Sequence, residues 1–170
     1  MKTLVSILAV GITFLSYSQA PIDQAPLVEL DNVVVSTVNS SYLAAVQDQN
    51  TPQEVALLQK QAAIYDVRSS KEFDSEVKNA TFEMVFKNSK GSINAFYDAS
   101  GEIESAYGRF RNILLPRSVQ RQLYLSNKDW TMVGNLYASS YEGIDLMDRS
   151  FKIQLQKGDD KKNVVIHLPN

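Results

Sequence analysis

A helix-then-meander pattern runs through this chain twice, and it constrains the fold more than any other feature. A proline-led amphipathic stretch is followed by three short alternating segments, first over residues 51–107 and again over residues 116–168. In the first copy, Thr51 precedes Pro52 and Glu54, an order that reads as a capping box with proline in the first turn. Val55, Leu58, Ala62 and Tyr65 recur at helical spacing, which predicts a helix to about Ile64. Phe82, Met84 and Phe86 alternate with Glu83, Val85 and Lys87, the period of a strand with one buried face. Turn residues at Asn88-Ser89-Lys90-Gly91 and Ala99-Ser100-Gly101 separate two further predicted strands at 92–98 and 102–109. Connections this short join only antiparallel neighbours.

The second copy opens at Leu115-Pro116, with Val119 and Leu123 on one helical face and Arg117, Gln120 and Arg121 on the other. A short helix to about Leu125 is predicted, then strands at 130–139, around Phe151, Ile153 and Leu155, and at 162–168. Pro52 and Val55 match Pro116 and Val119, while Phe82, Met84 and Phe86 match Phe151, Ile153 and Leu155. Duplication and a chance likeness of two such units both account for this. Either way the expected fold is α+β: an antiparallel β-meander sheet with helices packed on one face. It would be built from two αβββ-type units, at about 51–110 and 115–168 of a domain spanning 51–170.

The N-terminus reads as an export signal. Lys2 precedes an apolar run over residues 4–15 and a small, polar stretch Ser16-Tyr17-Ser18-Gln19-Ala20. The run is too short to span a bilayer, and the flanks fit a signal peptide of residues 1–18, with cleavage as late as 20. The protein is therefore expected in the periplasm or outside the cell, without a stable membrane anchor; no cysteine follows to carry a lipid. Residues 19–50 read as an N-terminal arm, with the β-branched Val33-Val34-Val35 and a helix-spaced Tyr42, Leu43 and Val46.

Composition narrows the chemistry. The formal charge of −2 becomes −3 once Lys2 leaves with the leader, which gives no electrostatic footprint for nucleic acid. The chain has no cysteine and one histidine, His167, so thiolate and multi-histidine metal sites are excluded. A Ser-His-Asp group needs its histidine braced by a carboxylate and touching a nucleophile. No nucleophile-elbow signature stands here, and alternation with Val164, Ile166 and Leu168 puts His167 on the unpacked face. Asp145-Leu146-Met147-Asp148 and Asp159-Asp160 lack the spacing of a calcium loop and read as turn residues. Among Glu83, Asp98, Glu102 and Glu104 no pair stands out for acid–base work. No catalytic group, metal or cofactor is expected.

What remains is surface. Arg109, Arg111, Arg117 and Arg121 gather around the start of the second helix, either to grip an acidic partner or as a solvated helix face and strand end. Tyr137 and Tyr141 flank a polar loop with Gly143, as interface residues or as rim packing. The sheet face opposite the helices is expected to carry Phe96 and His167 with Val85, Val133, Val165, Lys87, Lys152 and Gln154. Asn39-Ser40-Ser41 and Asn79-Ala80-Thr81 match the N-glycosylation sequon, read as unmodified in a bacterial export setting.

The stretch Phe96-Tyr97-Asp98-Ala99-Ser100-Gly101-Glu102-Ile103 resembles the "YD.dGk" turn of the PepSY-like proteins, also described as β-lactamase-inhibitor-like (BLIP-like). Leu115-Pro116-Arg117-Ser118-Val119, then Leu123 and Trp130, are similar to that family's "LP..V...L.....W" segment, and Phe151-Lys152-Ile153-Gln154-Leu155 to its "yKv.l" strand. The likeness covers residues 81–167, about half of the chain, and residues 124–129 lack the family's aromatic-proline before the tryptophan. The resemblance implies an exported domain of α-plus-meander units whose relatives inhibit or regulate secreted hydrolases through the exposed sheet face and its loops. The expected function is thus a non-catalytic exported binding module for an unknown protein partner, with a secreted hydrolase as the implied class. The alternative is an envelope structural protein assembling through its N-terminal arm, and an enzyme is the reading with least support.

Overall fold

The computed structural model describes residues 39–71, 73, 80–143 and 145–169, and only the backbone of 145–147. The stretches read from sequence as a signal peptide, as the arm up to residue 38 and as most of a 71–80 loop, with the sequon asparagine at position 79, lie outside the described residues.

Six strands form one antiparallel sheet in chain order. They are β1 (Phe82–Lys87), β2 (Gly91–Tyr97), β3 (Ile103–Arg111), β4 (Thr131–Glu142), β5 (Asp145–Lys157) and β6 (Asp160–His167). Three α-helices, α1 (Ser40–Val46), α2 (Gln53–Ile64) and α3 (Arg117–Ser126), and a single 3₁₀ turn at Val67–Ser69 complete the described fold. The order α2-β1-β2-β3 followed by α3-β4-β5-β6 reproduces the two helix-plus-meander units of the sequence. The units share a single sheet, because β3 pairs with β4 over seven residue pairs from Ser105↔Glu142 to Arg111↔Leu136.

Period-two alternation sets the two faces. Ile93, Tyr97, Phe110, Tyr137, Phe151 and Ile153 point to the helices and are almost wholly buried, as are Val55, Leu58 and Ala62 of α2. Each such large apolar side chain contributes roughly 1.5–3 kcal/mol on burial. Tyr97 donates from its hydroxyl to the carbonyl of Ala62 at 2.7 Å, so the polar tip of a buried ring also ties α2 to β2.

Residues 39–50, read from sequence as the end of an arm, belong to the domain. Tyr42 and Val46 of α1 are in the core, and the Tyr42 ring meets Tyr141 edge-on at 5.0 Å. Asn39 is buried; its amide donates to the carbonyl of Gly101 at 3.1 Å and its Oδ1 accepts from the amide of Ile103 at 2.6 Å. The sequon at Asn39 therefore starts with a side chain committed to the β2–β3 turn. That turn is itself built around Asp98, whose Oδ1 accepts from the amides of Ser100 and Glu102 at 2.8 Å each. Burial pushes the Asp98 carboxyl pKa upward, but these donors outweigh it and hold it below the ordinary value. Gly101, at φ +87°, closes the turn, a conformation that disfavours side-chain-bearing residues.

Two details differ from expectation. Thr51 does not cap α2: its Oγ1 accepts from the amide of Asp48 and donates to the Asp48 carboxylate, closing the α1–α2 connection. The region around Gly143 is a tight turn in a long ladder, with β4 and β5 still paired at Ser140↔Asp148 and Glu142↔Asp145. Alternation extends Tyr137–Tyr141 as strand, which backbone pairing supports even where serines interrupt the apolar pattern.

Candidate interaction surface

The strand positions between the buried ones form a second face, against which no described element packs. Registers across the ladders place its residues in rows. Val85, Asn94, Tyr107, Ser140 and Asp148 form one row. Lys87, Ser92, Arg109, Ala138, Ser150 and His167 form the next. Arg111, Leu136, Lys152 and Val165 form a third.

An aromatic pair anchors the first part of this face. Phe96 and Tyr107 lie edge to face at 5.9 Å, and the Tyr107 hydroxyl donates to Glu142 Oε1 at 2.8 Å. That bond, with some burial, raises the Tyr107 pKa. Asn94 donates to Glu83 at 2.6 Å nearby. Tyr107 is 43% exposed, Val85 44% and Val165 53%, so the face mixes apolar groups with polar ones, as docking surfaces do.

The arginines expected to form one cluster divide into two pairs. Arg109 and Arg111 stand on the open face, whereas Arg117 and Arg121 are exposed on α3. The cause is Asn112, which at φ +51° turns the chain out of β3 and sends it to the helical layer. Asn112 exchanges bonds with Asn135: its amide donates to the Asn135 carbonyl at 2.9 Å, and its Oδ1 accepts from the Asn135 amide at 3.2 Å. The Asn135 side chain in turn holds both the amide and the carbonyl of Ile113. On α3, Ser118 donates to Asn50 at 2.8 Å, placing that helix beside the start of α2.

Tyr137 and Tyr141 leave the candidate surface altogether. Both are buried, at 0% and 3% exposure, and Tyr137 stacks obliquely on Phe151 at 5.0 Å. Their parity in β4 aims them at the helices, and burial pushes the Tyr137 hydroxyl up to about 12. His167 is on the open face as expected, with its Nδ1 3.0 Å from Asp148 Oδ1 and both side chains more than half exposed. Ser150 lies across the ladder from His167. No hydrogen bond joins the two among the described residues, so the first contact of a nucleophile–base pair is not formed.

The sequence did not point to a third surface. Leu114, Leu123, Tyr124, Trp130 and Met132 line an apolar groove of about 430 Å³ beside α3. Leu114 and Tyr124 are 75% and 73% exposed. Lys162 sits 4.2 Å over the Trp130 ring, within cation–π range. Among the described residues no three His, Cys, Asp or Glu side chains come together as a metal site, and no helix is long and apolar enough to cross a membrane.

Comparison with protein families, with curated proteins and with solved structures finds no significant match to this chain.

Proposed function

We propose that this chain is a non-catalytic, exported binding module, periplasmic or secreted, that docks a protein partner on the open face of its sheet. The observation that carries this reading is the Phe96–Tyr107 pair, held in place on a face that no described element covers. Aromatic anchors beside cations form the energetic centre of many interfaces. Six strands at about 4.8 Å spacing make a face roughly 25 Å wide, enough for an interface of about 800 Å² per partner. A secreted hydrolase is the partner class that the PepSY-like resemblance of residues 96–103 and 115–130 favours.

The test is an affinity capture with the tagged, exported protein, followed by assay of the recovered hydrolase. Recovery of one hydrolase, its inhibition by the wild-type protein, and loss of both with Phe96→Ala/Tyr107→Ala support the proposal. Unchanged binding in that double variant, with loss in Leu114→Ser/Tyr124→Ser, moves the contact to the α3 groove. Binding that survives both pairs but vanishes when residues 19–38 are deleted favours assembly through the arm.

A further inference from the structure

We infer that a notch at one corner of the open face, floored by Gly134 and flanked by Arg111 and Lys152, receives an acidic side chain of a bound protein segment. This rests on the open face being the docking side and names the chemistry that one part of it reads.

The notch follows from the strand registers. Arg111, Leu136 and Lys152 are neighbours across β3, β4 and β5, so the two cations flank Leu136 with their Cα atoms roughly 10 Å apart, two strand spacings. One row further along, Gly134 lies between Asn112 and Gln154, and Gln154 pairs with Asn163. A glycine between longer side chains leaves a shallow, polar groove of about 380 Å³.

Three observations turn this depression into a candidate site. First, Gly134 is not required by the backbone. Its φ is not positive, and an added Cβ would meet only Asn112 Oδ1, at 3.4 Å. Glycine costs a strand conformational freedom and often marks a place where another group approaches closely. The β-bulge between Met132 and Gly134 bends β4 at the same point. Second, neither cation has an ion-pair partner among the described residues, although the chain is acidic overall. Third, one wall is tied to the sheet, because the Asn112–Asn135 exchange anchors the backbone beside Arg111.

The ligand class follows from the donors. A guanidinium offers a planar fork matched to a carboxylate, and an ammonium adds a point charge from the other side. Gln154 and Asn163 are exposed, with no side-chain hydrogen bond among the described residues, and can bond the backbone of an extended acidic segment.

The experiment is an amide-resolved NMR titration of the ¹⁵N-labelled protein with a capped hexaglutamate peptide. Capped hexaglutamine and sodium sulfate at matched ionic strength are the comparison ligands. Saturable shifts centred on the amides of Asn112, Gly134 and Gln154, given by hexaglutamate alone, are expected. Arg111→Gln and Lys152→Gln should each weaken binding about tenfold, and Gly134→Gln should abolish it while the spectrum stays folded. Lys87→Gln, on β1 and three strands from Gly134, should leave binding unchanged. Shifts of equal size with sulfate, shifts spread evenly over all the cations of the face, or full binding by Gly134→Gln would each overturn the notch. Such a failure leaves the Phe96–Tyr107 reading to its own test, because that test uses a different partner and different residues.

Discussion

Arg149, buried at mid-strand in β5, holds both carboxylate oxygens of Asp48, which lies 101 residues earlier in the chain, at 2.7 and 3.1 Å. The same guanidinium donates to the carbonyl of Pro169, so one cation fastens the α1–α2 connection and the segment after β6 to the fifth strand of the sheet. Its own side chain is 3% exposed, whereas that of Asp48 is 37% exposed. Removing each partner should therefore have unequal consequences. Asp48→Asn leaves a buried cation without its counter-ion and should cost about 2–3 kcal/mol, while Arg149→Met leaves a carboxylate that water can reach and should cost less. Urea denaturation of the two variants measures the difference.

The same pair sets an acid limit. The Arg149 side-chain bond, reinforced by the Thr51 hydroxyl and the Asn50 amide, holds the Asp48 carboxyl down to about 2, against an ordinary 3.8. The folded value lies below the unfolded one, so the contribution is fully present above about pH 4 and is lost as pH falls towards 2. Solvent screening at this partly exposed group limits it to roughly 1–2 kcal/mol. In stability measured from pH 6 to pH 2, the gap between wild type and Asp48→Asn should narrow across that window.

Glycine substitutions should separate two kinds of space. A Cβ on Gly91 would lie 2.1 Å from the carbonyl oxygen of Arg109 and 2.7 Å from Phe110 Cα, and neither backbone atom can move without breaking the β2–β3 ladder. Gly91→Ala should cost about 3 kcal/mol or more. Gly134→Ala should be neutral or slightly stabilising, by up to about 1 kcal/mol. Thermal melts of both variants test the contrast.

Tyr97→Phe removes the buried bond to Ala62 while keeping the ring. The Ala62 carbonyl still accepts from the Tyr65 amide at 3.2 Å, so the loss should stay near 1 kcal/mol. A loss of several kcal/mol in denaturant titration would mean that the hydroxyl positions α2 and does more than satisfy one carbonyl.

The sequence shows most of this architecture because the periodicities are clean. Phe82, Met84 and Phe86 on β1, and Phe151, Ile153 and Leu155 on β5, all have the orientation that alternation predicts. The helix over Val55, Leu58 and Ala62 ends at Ile64, as its spacing indicates. The surface was less legible, since pairing between distant segments decides it. Arg109 and Arg117 are close in sequence but are sent to opposite layers by one left-handed asparagine. Tyr141 is surrounded by serine and glutamate, and only the continuation of β4 past Ser140 reveals that it is buried. The role of Arg149 rests on a partner 101 residues away, which no local pattern encodes. The notch at Gly134 appears only once β3, β4 and β5 lie side by side.

The seven pairs between β3 and β4 have a further consequence. They sit at the centre of the sheet, so neither helix-plus-meander half can open without exposing the other half's inner strand. A chain whose sequence repeats is in this way denied the independence of a repeat, and its halves should unfold in a single cooperative step. The amide protons of that central ladder should then be the last to exchange with solvent, doing so only when the whole sheet opens.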